Sequence, residues 1–249
     1  GGFLARVQPG FPSFTYGLQG CRDMVWGEEL ARMLGSAHHP FPMDDSSWLF
    51  DMAGTFVGRT ESFVNILHSH GVHTYEAASG HMDVHLSGYG GGSFYGGDPT
   101  NTAMLAARTP AQACEMLYKG YVNSLGNVLR SPMERFHLLT PGVRREMSWA
   151  AEASFEAEYS RYAGLRPDIT GDAFTLGNRY KKMFAYMIAM EREFFEDRSP
   201  FMDYALMDFL FSLPTGVRTQ RKLQIGLLDA MLPELRAVPW QVSCKCPTL

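Results

Sequence analysis

Six of the ten residues from 88 to 97 are glycine, and they follow a short apolar run, Val84-His85-Leu86. No other stretch constrains the fold as much. Residues 83–87 are predicted to form a strand, and the strand must break into a loop largely free of Cβ atoms. Backbone N–H groups in such a loop can approach a ligand closely. A strand that ends in one is a usual place to hold a nucleotide or phosphate. The loop, LSGYGGGSFYGG, carries no charge before Asp98. Chemistry on ATP with magnesium normally needs a carboxylate near the phosphates.

The rest of the chain is read around that loop. Residues 13–16 are a short β-prone run ending at Gly17. Residues 23–34 place Val25, Trp26, Leu30, Met33 and Leu34 at helical spacing. Asp23 suits that helix's start and Gly35 its end. Residues 44–70 are expected to be mainly helical, capped by Asp44 or Asp45. This β-α-(β)-α-β order predicts an α/β fold with a parallel sheet covered by helices. In such sheets ligands sit beyond the carboxyl ends of the strands, which places Gly17 and the loop at Gly88 on one edge. After Pro110 the periodicity is helical over 111–129, 141–162, 176–195 and 218–232, with no strand expected. The reading is a part of residues 1–108 that binds nucleotide and a helical part of residues 109–249.

Composition excludes several classes of function. Net charge is −4 and the pI about 6.1, so there is no bulk attraction to nucleic acid or anionic membrane. The longest apolar runs are too short to span a bilayer, and no signal-peptide pattern is visible. Cys21, Cys114, Cys244 and Cys246 contain one close pair and no second, which fits reduced thiols in a cytoplasmic protein better than zinc. His68, His70 and His73 sit at no ligand spacing, the other histidines suggest no ligand set, and no metal ligand is assigned. Residues 1–7 read as a helix body whose beginning lies upstream, so the chain is expected to be amino-terminally truncated.

At the glycine loop the chain resembles the synthetase domain of the asparagine synthetase family. That family has a strand entering L-S-G-x-G-G-D-E-x-(F/Y)-G-G, and Ser87, Gly88, Gly90, Gly91, Gly96 and Gly97 match it. A second block, Glu196-Asp-Arg-Ser-Pro-Phe-Met-Asp203 followed by Ser212-Leu213-Pro214, is similar to the family's E-x-R-x-P-F-x-D and S-L-P. A third lies near the start: Phe14-Thr15-Tyr16-Gly17, Asp23, Leu34-Gly35 and His38-His39. The tail, with Pro233-Glu-Leu and Pro239-Trp240, looks like the asparagine synthetase-related proteins.

The resemblance implies an adenine nucleotide alpha-hydrolase-like (ATP-pyrophosphatase) fold and a dependence on ATP and Mg2+. ATP adenylates a substrate carboxylate, pyrophosphate leaves, and ammonia or an amine attacks the acyl-AMP. The family's S-G-G-x-D-S pyrophosphate loop and its glutaminase domain are not found in these residues. A fragment with weak or no activity of its own is therefore expected. Partners would be a small-molecule or peptide carboxylate and a separate glutaminase domain or a second copy.

By the same resemblance Ser87, Gly88, Gly90, Gly91 and the strand-end Tyr16 would hold the adenylate. Tyr89 stands where asparagine synthetases have glutamate. A tyrosine there is similar to the β-lactam and carbapenam synthetases, where it assists amine deprotonation. Gly92 and Ser93 replace the Asp-Glu pair, which removes a magnesium ligand. Lys222 lies near the family's lysine at the acyl-adenylate. Glu196, Arg198 and Asp203 are expected at the junction of the halves, either as a buried Glu–Arg pair with a helix cap or in contact with substrate. Three functions stay open: an amide-forming ligase, a degenerate module that binds nucleotide or a partner, and a β-lactam synthetase or lasso-peptide cyclase type enzyme.

Overall fold

The computed structural model describes residues 1–95, 104–124, 140–147, 149–240 and 244–247. Its elements in chain order begin with α1 (Gly2–Val7), β1 (Pro12–Gly17), α2 (Arg22–Leu34), β2 (Ala37–Pro42), α3 (Ser47–Thr60), α4 (Val72–Ser79) and β3 (Val84–Leu86). A turn over Gly91–Tyr95 follows, then α5 (Pro110–Ser124), α6 (Pro141–Met147), α7 (Ala150–Ser160) and α8 (Pro167–Thr175). The chain continues through a wide helical turn (Leu176–Phe184) into α9 (Ala185–Glu191), β4 (Glu196–Arg198), α10 (Tyr204–Ser212), α11 (Thr215–Arg218) and α12 (Lys222–Met231).

Two compact units result. The first holds Gly1–Tyr89, Tyr180–Asp203 and Lys222–Leu249; the second holds Gly90–Arg179 and Tyr204–Arg221. The chain thus passes back and forth instead of dividing once near residue 108.

In the first unit the fold is mixed α/β, and its strand pairs are parallel as expected. β1 runs beside β2, from Pro12 opposite Ala37 to Gly17 opposite Pro42. The helix α2 makes the crossover that a parallel pair requires. Asp23 lies in its first turn, and Gly35 ends it in the left-handed conformation at φ 62°. β3 runs beside β4, with Val84, His85 and Leu86 opposite Glu196, Asp197 and Arg198. The strand β4 corrects the expectation of an all-helical second half. Three residues are too few to show a pattern, and their partner lies more than a hundred residues away. The described residues form two two-stranded sheets rather than one sheet. Beneath them Phe56, Val64, Val72, Tyr75, Ala78, Met190 and Phe195 form the core.

Other boundaries also moved. α3 starts at Ser47, whose N–H donates to Asp45 Oδ1 at 2.9 Å, while Asp44 instead accepts from Gln19 N–H. It stops at Thr60, because Glu61 and Ser62 take positive φ. Residues 141–162 hold two helices, α6 and α7, and residues 125–129 lie outside the described part.

α2 packs so closely on β1 that a Cβ at Gly27 would lie 3.1 Å from both Cβ and Cγ2 of Thr15 and nearer still to its hydroxyl. Gly27→Ala should therefore destabilise the first unit by about 1–3 kcal/mol through overpacking. The normal helical advantage of alanine over glycine, about 1 kcal/mol, would be reversed. A urea midpoint at or above the wild-type value would refute this.

The second unit is helical. Met104, Ala113, Leu117, Tyr159 and Phe174 form its core, with Tyr121, Phe155 and Tyr162 around them. Phe155 and Phe174 approach to 4.7 Å between ring centroids. Arg218 and Asp172, each about 1% exposed, form a buried ion pair at 2.7 Å.

Candidate functional site

β1 and β3 both line a cavity of about 900 Å³ in the first unit. Tyr16, Ser87, Gly88, Tyr89 and Arg198 all line it, so the structure brings together five residues proposed from the sequence. Tyr75, His85 and Glu191 line it too. The volume falls in the usual range for small-molecule sites.

Glu191, the last residue of α9, sits at the centre of the polar contacts and is only 2% exposed. Its Oε1 accepts hydrogen bonds from Tyr89 Oη at 2.6 Å and from Tyr75 Oη at 2.9 Å. Its Oε2 lies 3.1 Å from His85 Nδ1. Asp197, also 2% exposed, faces the same imidazole, with Oδ2 at 3.3 Å from Nδ1 in an ion-pair contact off the hydrogen-bond direction. Ser87 Oγ makes a long contact of 3.4 Å to Asp197 Oδ1. The Tyr16 hydroxyl joins through Tyr75.

Local structure explains the arrangement. In a strand successive side chains point to opposite faces. β4 therefore turns Asp197 inward and Glu196 and Arg198 outward. The expected Glu196–Arg198 pair exists, at 2.8 Å, but it is exposed rather than buried, with side chains 57% and 64% accessible. A pair of this kind contributes about 0–1 kcal/mol. Asp203 is exposed just before α10.

The charges follow from burial and contact. Burial alone would lower the His85 pKa, but the close contacts with Asp197 and Glu191 and their charge outweigh it and raise it to about 9. Burial opposes the Asp197 charge too, yet contacts with His85, Glu191 and Ser87 hold that carboxyl below its ordinary value. Burial, then the Glu191 charge, pushes the Tyr89 and Tyr75 hydroxyls well up. Tyr89 is thus held as a hydrogen-bond donor and is no free phenolate.

Other sequence-derived residues stand differently. The Ser87 N–H is spent on Arg198 C=O at 3.0 Å, so the backbone group left for a ligand is its carbonyl. A Cβ at Gly88 would meet nothing within 4 Å, whereas Gly90 needs its positive φ of 88°. Gly91 opens the turn over Gly91–Tyr95. Lys222 is exposed at the start of α12 and does not line the cavity. It follows Gln220 and Arg221, which both hold positive φ.

Magnesium and ATP fit unequally. Gly92 has no side chain and stands in open space, so the described loop offers no carboxylate for a hard cation; Asp98 lies outside the described residues. The residues present do not fit Mg2+ at that loop. The open strand ends at Tyr16, Ser87 and Gly88 do suit a nucleoside. The ligating atoms of His85, Glu191 and Asp197 lie within 4.8 Å of one another, a donor set that also suits a divalent metal.

Sequence reasoning missed this triad and set the histidines aside as structural. A polar His85 inside an apolar strand and Glu191 at the end of an apolar helical run were the available signals.

Comparison with known proteins follows the geometry. The family described as Asparagine synthase matches residues 2–235. None of the curated proteins compared with the chain matches it. No helix among the described residues is long and apolar enough to cross a membrane.

Proposed function

Because the chain belongs to the asparagine synthase family, we propose that it serves ATP-dependent amide-bond formation, with Tyr89 and Glu191 receiving the proton of the attacking nitrogen. The family supports ligase chemistry on ATP, and our reading extends it to an adenine nucleotide alpha-hydrolase-like fold. The observation that carries the residue assignment is the 2.6 Å contact between Tyr89 Oη and Glu191 Oε1 at the cavity wall.

ATP supplies activation of the carboxylate as an acyl-adenylate. Tyr16, Ser87 and Gly88 would seat its nucleoside at the strand ends, largely through backbone groups. The nitrogen nucleophile then attacks the acyl carbon, and the C–O bond to AMP breaks with its electron pair on AMP. The proton leaving nitrogen passes to Tyr89 oxygen while the Tyr89 proton passes to Glu191. A tyrosine held protonated by burial can act only in this coupled way, because it is never ionised beforehand.

The test is amide formation by the full-length protein. Tyr89→Phe keeps the ring against Phe184, 5.1 Å away between centroids, and removes the hydroxyl. We expect a fall on the order of 10²–10⁴-fold in amide formation, the usual size of a lost proton-transfer group, with a smaller effect on ATP–pyrophosphate exchange. Equal losses in both reactions would count against the assignment.

Tyr89 in place of a glutamate favours an amine nucleophile over ammonia, the β-lactam synthetase or lasso-peptide cyclase reading. The absent carboxylate at Gly92 instead favours a module that binds nucleotide without turnover. Calorimetry with ATP, with and without Mg2+, separates the two. Tight binding that needs Mg2+ supports the ligase, and binding indifferent to Mg2+ supports the module.

A further inference from the structure

Asp197 leaves a gap in the polar contacts beside the cavity. Its side chain is buried, 2% exposed, yet Oδ2 finds no hydrogen-bond donor. Buried polar atoms are nearly always satisfied, and one that is not calls for a water, an ion or a chemical role. The chemistry proposed for Tyr89 and Glu191 gives this oxygen none.

We propose that His85 Nδ1, Glu191 Oε2 and Asp197 Oδ2 form a site for a divalent transition-metal ion, best matched by Zn2+. The site does not depend on amide formation. Both carboxylates are divided in the same way: one oxygen is engaged by hydroxyl groups, and the other faces His85. Glu191 Oε1 accepts from Tyr89 at 2.6 Å and from Tyr75 at 2.9 Å, while Oε2 lies 3.1 Å from Nδ1. Asp197 Oδ1 has the longer Ser87 contact at 3.4 Å, while Oδ2 lies 3.3 Å from Nδ1. Hydrogen bonds of this kind to the far oxygen are what orients a ligating carboxylate.

The spacing fits an ion. Zinc bonds to nitrogen and oxygen of about 2.0–2.2 Å put neighbouring ligand atoms of a tetrahedron about 3.3–3.6 Å apart. The two nitrogen–oxygen separations, 3.1 and 3.3 Å, are close to that, and all three atoms lie within 4.8 Å of one another. Small side-chain rotations complete the set. The strand register supports it, because His85 stands directly opposite Asp197 and such cross-strand pairs share one face. Glu191 reaches the same point from the last residue of α9. An ion there would tie β3, β4 and α9 together.

The donor types select the metal. Imidazole suits zinc and its neighbours, whereas Mg2+ prefers oxygen ligands and keeps several waters. Three protein ligands leave a fourth position open. His85 and Glu191 line the cavity, which gives an ion a way in. Binding through Oε2 leaves Oε1 to Tyr89.

The test starts from the full-length protein freed of metal by chelation. Cys244→Ser with Cys246→Ser serves as the parent, because these exposed thiols would bind zinc on their own. Calorimetry should show one equivalent of Zn2+, not displaced by a large excess of Mg2+. Co2+ in the same protein should give the strong visible absorption of a four-coordinate ion. Asp197→Asn and Glu191→Gln keep the shape of the side chain, and each should weaken Zn2+ binding by about 10²-fold or more, since loss of a hydrogen-bond partner of a ligand already costs about 10–100-fold. Tyr75→Phe removes only such a partner and should cost about tenfold while keeping the cobalt spectrum. Zn2+ should raise the urea midpoint of the parent and not that of Asp197→Asn.

No bound zinc, zinc held equally well by both carboxylate variants, or displacement by Mg2+ at equal concentration would each overturn the proposal. Either carboxylate variant decides the matter where the other does not fold. Amide formation enters none of these readouts, so the site stands if the proposed function fails. Failure to bind zinc equally leaves the proton transfer from Tyr89 to Glu191 untouched.

Discussion

Arg218→Ala should destabilise the second unit by about 3–5 kcal/mol, the usual cost of removing one partner from a buried ion pair. The guanidinium is about 1% exposed and ties three segments together. Nη2 donates to Asp172 Oδ2 on α8 at 2.7 Å and to Thr215 Oγ1 on α11 at 3.3 Å. Nη1 donates to the Phe94 carbonyl in the glycine-rich turn at 3.1 Å. Removing it would take a charged partner from a buried carboxylate and a donor from a buried backbone carbonyl. Asp172→Asn should cost less than Arg218→Ala, because an amide oxygen can still accept. The double variant Asp172→Leu with Arg218→Met should recover most of the loss, since apolar residues of similar volume often replace a buried pair without penalty. Recovery is favoured further because Nε finds no hydrogen-bond acceptor, so the native pair is imperfectly satisfied. Urea unfolding of the double variant and of its two single components, Asp172→Leu and Arg218→Met, gives the cycle. Strictly additive losses would refute it, because residues in contact must couple.

That pair illustrates what the sequence could and could not disclose. The elements near the glycine loop were legible because their signals are local. Asp23 and Gly35 mark the two ends of α2 within thirteen residues, and β1 and β3 stop at their glycine turns. Strand logic placed Gly17 and the Gly88 loop on one edge of a sheet; the strands lie in two sheets, yet Tyr16, Ser87 and Gly88 at their ends line one cavity, without Gly17. The chemistry between them depends on partners far apart in sequence: 106 residues separate His85 from Glu191, and 46 separate Asp172 from Arg218. No periodicity links such positions. Asp197 is the instructive case. The family motif directs attention to Glu196 and Arg198, whereas strand alternation would have turned the residue between them inward. That inference needed β4 to be recognised, and Glu-Asp-Arg has no β propensity to reveal it.

Glu191→Ala should be the most damaging single change in the first unit, also by about 3–5 kcal/mol. It leaves Tyr75 Oη buried without its acceptor and His85 with Asp197 alone. Its pH dependence distinguishes charge from packing. His85 has a folded pKa of about 9 against an ordinary value of 6.5. The folded state therefore binds its proton more tightly, and the resulting stability is full below pH 6.5. It declines as pH rises through about 9. The size is about 3 kcal/mol at most. Asp197 acts at the other end of the scale. Its folded pKa lies below the ordinary 3.8, so its contribution is present above that value and is lost as pH falls through the folded one. Wild-type stability should thus form a plateau from about pH 4 to 6.5 and decline on both sides. In Glu191→Gln, which preserves shape and removes charge, the alkaline decline should still begin near pH 6.5 but end at lower pH and be smaller. Urea midpoints from pH 4 to 10 measure both curves. Parallel curves would mean that His85 does not sense Glu191, and the coupling that the 3.1 Å contact implies would be absent.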